Sequence, residues 1–121
     1  RTWDAEKRVR DAVQTRYPDS TPNEGPVEIS AVFYMPKRGR PDLDNLLKLV
    51  MDALNGLAYR DDAQVMRFHA TKITPDTHVR NDRTGGTRKR RSGDPLTHHG
   101  EPYTPHTLIS INPPITEGEQ Q

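Results

Sequence analysis

Three aspartates and one lysine are the residues best placed to do chemistry in this 121-residue chain. Asp42 and Asp44 stand in the run Pro41-Asp42-Leu43-Asp44-Asn45-Leu46-Leu47-Lys48, and Asp62 stands in Asp61-Asp62-Ala63-Gln64-Val65. In an extended segment, residues two apart point the same way. Asp42 and Asp44 are therefore expected to present two carboxylates on one side, with Leu43 turned into the core. The sheet decides whether Asp62 meets that pair. Three carboxylates in one place raise each other's pKa unless a cation sits among them. Hard oxygen donors of this number suit Mg²⁺ or Mn²⁺. Such an ion lowers the pKa of a bound water and offsets charge at phosphorus. Lys48, one helical turn after Asp44, is placed to neutralise a phosphate oxygen or a leaving group. Lys37, Arg38 and Arg40 lie just before the aspartates, as expected where an anionic polymer must approach an acidic site.

Each motif also has an ordinary explanation. Asp-x-Asp before a helix commonly supplies an N-cap and a solvated charge. Asp44 and Lys48 have the spacing of a surface pair, and Asp61-Asp62 suits a turn. No His-x-x-x-His helix is present, so no zinc site is expected.

The elements that must position these residues follow from periodicity. Residues 2–17 read as a helix, with Ala5, Val9, Ala12, Val13 and Tyr17 near helical spacing. Thr2 is a candidate N-cap and Trp3 a core residue. Residues 27–35 alternate as a strand, Val27, Ile29, Ala31, Phe33 and Met35 on one face. Residues 44–57 read as a helix carrying Leu46, Leu49, Val50, Ala53, Leu54 and Leu57, with Asp42 or Asp44 as N-cap. Residues 64–73 form a second strand, with Met66, Phe68 and Ala70 on one face, and 107–111 a third. The last two strands are expected to pair antiparallel. The order α-β-α-β-β implies an α+β fold, a small mixed sheet packed by two helices.

Composition bounds the rest. Only 31% of residues are hydrophobic, while net charge is +1. Most apolar residues fall in the elements above, so a compact core with a polar excursion is expected, in one domain over 1–121. The excursion covers 74–106, and the tail 112–121 is expected to be disordered. No apolar run approaches the ~18 residues of a membrane span. With no Cys there is no disulfide framework. A cytoplasmic location is the expectation. The first residue is Arg, which suggests a processed or truncated start. Residues 80–91 hold Arg80, Arg83, Arg88, Lys89, Arg90 and Arg91 against Asp82, a local +5. A flexible basic arm gripping DNA phosphates is the expected use.

The joint pattern Asp-x-Asp-Asn-x-x-Lys, a helix ending Asp-Ala-Leu, then Asp-Asp-x-Gln-Val resembles the RusA family of Holliday junction resolvases. The resemblance is close over 41–65 and looser over 27–40 and 66–73. It implies a Mg²⁺-dependent, homodimeric endonuclease that resolves four-way DNA junctions by paired nicks, with no small-molecule cofactor and no membrane. A bacterial host or a phage would be at home with such a protein. The family's catalytic aspartates fall on Asp42, Asp44 and Asp62, which would also hold the metal, and its catalytic lysine falls on Lys48. Asn45, Asp61 and Gln64 occupy supporting positions. Lys72 matches a family lysine with a DNA-phosphate role, joining Lys37, Arg38, Arg40, Arg88, Lys89, Arg90 and Arg91 as DNA-binding residues. Three departures stand out: family members begin with a strand that is absent here, Pro41 replaces a basic residue, and the excursion replaces a shorter connection. A missing strand leaves a sheet edge uncovered. A non-catalytic or truncated junction-binding relative is the alternative reading.

Overall fold

The computed structural model describes residues 2–113, with side chains from residue 4 onward. The elements are helix α1 (Thr2–Arg16), strand β1 (Val27–Tyr34), helix α2 (Leu43–Leu54) and strand β2 (Val65–Ile73). Four short strands follow: β3 (His78–Arg80), β4 (Thr87–Lys89), β5 (Thr97–His98) and β6 (Glu101–Pro102). Strand β7 (His106–Asn112) closes the described chain. The frame has the expected α-β-α-β-β order. The expected capping by the Thr2 side chain, the core packing of the Trp3 side chain and the tail beyond residue 113 lie outside what the structure describes. No described helix is long and apolar enough to cross a membrane.

Strand β1 carries the core. Val27, Ile29, Ala31 and Phe33 are buried and their alternating neighbours half-buried. A strand shielded on both faces belongs in the middle of a sheet, and the order is β2-β1-β7. This corrects the expected pairing of the last two strands: β7 runs antiparallel to β1, and β2 runs parallel to it. Parallel neighbours need a crossover connection, and α2 is that crossover. Helix α2 lays Leu46, Val50, Ala53 and Leu54 on the buried face of β1. Among the described residues, β2 and β7 each keep one unpaired edge.

The face expected for Met66 is also corrected. Val27 pairs with Val65 but Glu28 pairs with Arg67, so Met66 is an extra residue in a bulge. Past that point the alternation is shifted by one. Val65, Phe68 and Ala70 pack against the core, whereas Met66 is exposed. Helix α1 contributes Val9 and Val13 to the core. Ala12 is exposed, and Tyr17 lies just past the helix end and is exposed too. Helix α2 closes at Leu54, three residues before the expected end. Gly56 takes positive φ there (79°), the left-handed geometry that suits glycine. No basic residue lies in the last turn of α2. Arg10 of α1 supplies the missing cation, donating from Nη1 to Ala53 O (2.8 Å) and Asn55 O (3.1 Å).

The polar excursion is ordered by two aspartates. Strands β3 and β4 form one antiparallel hairpin, β5 and β6 another. The Asp76 carboxylate accepts from Thr97 Oγ1 (2.8 Å), His99 N (2.9 Å) and Gly100 N (3.0 Å). Asp94 accepts two bonds from Arg88 (2.8 and 2.9 Å) and one from Arg91 N (2.7 Å). The Tyr103 hydroxyl donates to Met35 O (2.6 Å), docking the excursion on the end of β1. Backbone N–H groups hold the Asp76 carboxyl below the ordinary carboxylate range, and the Arg88 guanidinium holds the Asp94 carboxyl far below it.

Depressed carboxyl pKa values stabilise the folded form above the unfolded pKa of about 4, and that contribution is lost as pH falls through the folded values. Amide exchange at His99, Gly100 and Arg91 is therefore expected to accelerate, after correction for intrinsic rates, as pH drops below about 4. Exchange in the centre of β1 should change less. A uniform change across both regions would show that the aspartates do not govern the excursion.

Candidate functional site

The two aspartates of the first motif sit where a loop becomes a helix. Asp42 has extended backbone (φ −70°, ψ 159°), and α2 starts at Leu43. Asp44 therefore lies in the first helical turn, and the alternation expected of an extended segment does not apply. Leu43 is correspondingly exposed and does not enter the core. Asp42 O accepts from Asn45 N and Leu46 N (3.1 Å each), opening the helix through the main chain. Its carboxylate makes no capping bond. Both carboxylates thus face solvent at a helix N-terminus, where the dipole favours negative charge. Arg40 Nη1 lies 4.0 Å from Asp42 Oδ2 in a well-exposed pair. It brings a cation to Asp42 even though Pro41 occupies the adjacent position. Among the described residues, Asp44 and Lys48 form no ion pair.

The loop carrying Asp42 is held from β2. Lys72 is register partner to Phe33, so it points to the helix-covered face at the end of the sheet. Its ammonium donates to Gly39 O and to Pro41 O. Lys72 here positions the backbone immediately before Asp42, and a phosphate contact would require it to leave these carbonyls. Arg38 is likewise engaged, donating from Nη1 to Pro75 O (2.9 Å). Lys37 is exposed.

The second motif is a set of backbone stitches around Asp62. Asp61 caps a short 3-10 turn over Asp62–Gln64, its side chain accepting from Ala63 N (3.0 Å). Gln64 Oε1 accepts from Arg60 N (2.7 Å) and Asp61 N (2.9 Å). Gln64 Nε2 donates to Asn23 O (2.9 Å) and Gly25 O (2.7 Å), sewing this turn to the loop before β1. Asp61 and Gln64 support the site by fixing its backbone. Tyr59 does the rest. Its side chain is buried, and its hydroxyl lies 3.0 Å from Met51 O and 3.1 Å from Asp62 Oδ1, a single proton shared between two acceptors. Burial first, and the Asp62 charge second, push the Tyr59 hydroxyl pKa well up, so it remains a donor.

The crossover separates the two motifs. Helix α2 runs from the end of β1 back to the start of β2, so Asp42 and Asp44 lie at its N-terminal end. Asp62, tied through Tyr59 to Met51, lies towards its C-terminal end. Leu43 to Met51 spans about 12 Å along the helix axis. Among the described residues, no group of three or more carboxylate or imidazole side chains is close enough to hold a metal ion. Carboxylate oxygens of this kind suit Mg²⁺ or Mn²⁺.

The basic arm divides in two. Arg88 is bound to Asp94, and Arg90 donates from Nη2 to Asp94 O (2.8 Å). The Lys89 ammonium and Arg91 guanidinium have no such bonds among the described residues, and they remain available to an outside anion. Sequence reasoning missed Tyr59 and Arg10. Tyr59 stands three residues before Asp62, a spacing with no meaning until the turn folds. Arg10, on a helix of mixed polarity, carries no signal that its target is another helix end.

The family model "Endodeoxyribonuclease RusA" matches residues 1–81. The chain is also similar to the crossover junction endodeoxyribonucleases RusA of Escherichia coli strain K12 and of Shigella sonnei strain Ss046. Each is 45% identical to it over 49 residues, a match covering 40% of this chain and 41% of the relative. The match thus spans about two fifths of the length of these curated relatives.

Two outcomes are expected from the positioning residues. Lys72→Met should speed amide exchange in residues 39–42 while leaving the salt dependence of DNA binding unchanged. Loss of a direct phosphate contact would instead reduce the slope of log K against log salt by about 0.9. Tyr59→Phe should lower stability by about 1 kcal/mol in denaturant titration. No loss would show that its hydroxyl bonds are not needed.

Proposed function

The chain belongs to the RusA family of endodeoxyribonucleases, and from that premise we propose that it resolves four-way DNA junctions by paired, metal-dependent phosphodiester hydrolysis. The observation that carries this reading is the exposed Asp42–Asp44 pair at the start of α2. Both carboxylates are free of capping bonds, and the loop before them is fixed by Lys72. Arg40 beside Asp42 and Lys48 one turn after Asp44 would offer positive charge to an incoming DNA strand, with exposed Lys37 earlier in the same loop. Mg²⁺, or Mn²⁺ in its place, would be held by Asp42 and Asp44 and would supply an activated water and charge compensation at phosphorus. In hydrolysis the water oxygen bonds to phosphorus as the P–O ester bond breaks, and the proton passes to the leaving oxygen. Lys48, one turn after Asp44, would face the charge that develops there.

The position of Asp62 favours a homodimer. Within one chain it lies along α2 from the pair, and Asp62 of a second copy would complete a donor set of three. A two-fold dimer would then build two equivalent sites, matching the approximate two-fold symmetry of a four-way junction. Lys89 and Arg91 extend the basic surface along the arm. The separation of the carboxylates in one chain also sustains a second reading, a junction-binding protein that does not cut.

A labelled synthetic junction, with and without Mg²⁺, distinguishes the two. Nicking should require the metal and fall about a hundredfold or more in Asp42→Asn, with binding retained. Asp42→Asn and Asp62→Asn should each be inactive alone. When mixed and re-equilibrated they should regain one nick per junction, because the hybrid keeps one complete site. Recovery would be absent if each chain held its own site. Tight binding with no nicking by the unaltered chain would establish the second reading.

A further inference from the structure

An opening beside the Asp42–Asp44 pair lies between α1 and α2, with a volume of about 700 Å³. Its floor is apolar, formed by Leu46 and Leu49 of α2, and Ala5 of α1 keeps it open by having only a methyl group. Two cations line it from different helices, Arg8 of α1 and Lys48 of α2. Asn45 adds an amide from the turn that carries Asp44. Among the described residues, neither Arg8 nor Lys48 is in an ion pair. Asp52, one turn beyond Lys48, is the acid in the lining and offsets part of this charge.

We propose that this opening is a nucleotide subsite, in which Arg8 binds the phosphodiester next to the one that is cut and the apolar floor takes its deoxyribose. Two unpaired cations facing one space repel each other until an anion enters. An arginine fork matches two oxygens of a phosphate and binds it directionally. An amide donor and an apolar floor are what a sugar-phosphate requires beyond charge. Pro41 and Asn45, which flank the Asp42–Asp44 pair in sequence, both line the opening, so it adjoins the carboxylates. The proposal rests on the nuclease reading for its substrate class, and it adds α1 to the surface that reads the strand.

The intact protein, titrated with the single-stranded tetranucleotide (dT)₄ and separately with inorganic phosphate, tests this. Nitrogen-resolved NMR at the Arg8 Nε–H and the Asn45 amide reports occupancy. The tetranucleotide should shift both signals and bind at least about tenfold more tightly than phosphate, because phosphate leaves the floor uncovered. Arg8→Gln, on an exposed position, should weaken (dT)₄ binding about tenfold. Ala5→Leu, which narrows the opening without changing charge, should weaken it comparably, with thermal unfolding confirming that both variants fold. Unshifted signals, or variants that titrate like the unaltered protein, would overturn the subsite. Phosphate binding as tightly as (dT)₄ would overturn its nucleotide character. Junction cleavage on the same samples separates the two readings. Cleavage with unshifted signals removes the subsite alone, whereas shifted signals without cleavage support the subsite and remove the nuclease reading.

Discussion

The parallel pairing of β1 with β2 is the constraint on which the rest of this structure depends. Two parallel neighbours cannot be joined by a tight turn, so the chain must return over the sheet through α2. The helix therefore lies against β1 and fills the core with Leu46, Val50, Ala53 and Leu54. It also sets its two ends at opposite ends of the strands. Everything at its N-terminus, including Asp42, Asp44 and Lys48, belongs to one end of the sheet, and Asp62 belongs towards the other. The parallel pair thus gives the protein its core and sets the two acidic motifs at different ends of the crossover.

Each end of the crossover is then locked by side chains from elsewhere. Lys72, at the far end of β2, grips the carbonyls before Asp42. Arg10, from α1, takes up carbonyls at the opposite end of α2, which has no basic residue of its own. Gln64 joins the turn at Asp62 to the loop that enters β1. These cations and amides all bond main-chain oxygens, which leaves the carboxylates of Asp42 and Asp44 without capping bonds. Much of the positive and amide functionality near the site acts as scaffolding, and a smaller set, Arg8, Lys37, Lys48, Lys89 and Arg91, is left for an external anion.

The excursion follows the same logic on a smaller scale. Its basic composition suggested a flexible arm, yet Asp76 and Asp94 organise it into hairpins by accepting several bonds each. Two of the four basic residues at 88–91 are used internally, Arg88 and Arg90. Net charge along the sequence therefore overstates how much cation the surface offers, because bidentate partners are not visible in a count. Ordering also fixes where the remaining charges lie, docked through Tyr103 on the end of β1.

The sequence by itself determined the elements and the chemistry of the motifs. The alternation in 27–35 and the helical spacing of Leu46, Val50 and Leu54 are local properties, written by burial on a two-residue and a 3.6-residue period. The types of residue at 42, 44, 48 and 62 are those that hard-cation and phosphate chemistry would use. Tertiary structure decided what lies beside what. Met66 left the apolar face because a bulge against Val27 shifted the register, and β7 pairs with the free edge of β1, antiparallel to it, and not with β2. Leu43 turned outward because α2 begins one residue after Asp42. Lys72, Tyr59 and Arg10 acquired partners 31, 3 and 43 residues away. Such pairings depend on strand order and helix direction, which local periodicity does not encode, so the spacing of the acidic motifs became known only once the crossover was in place.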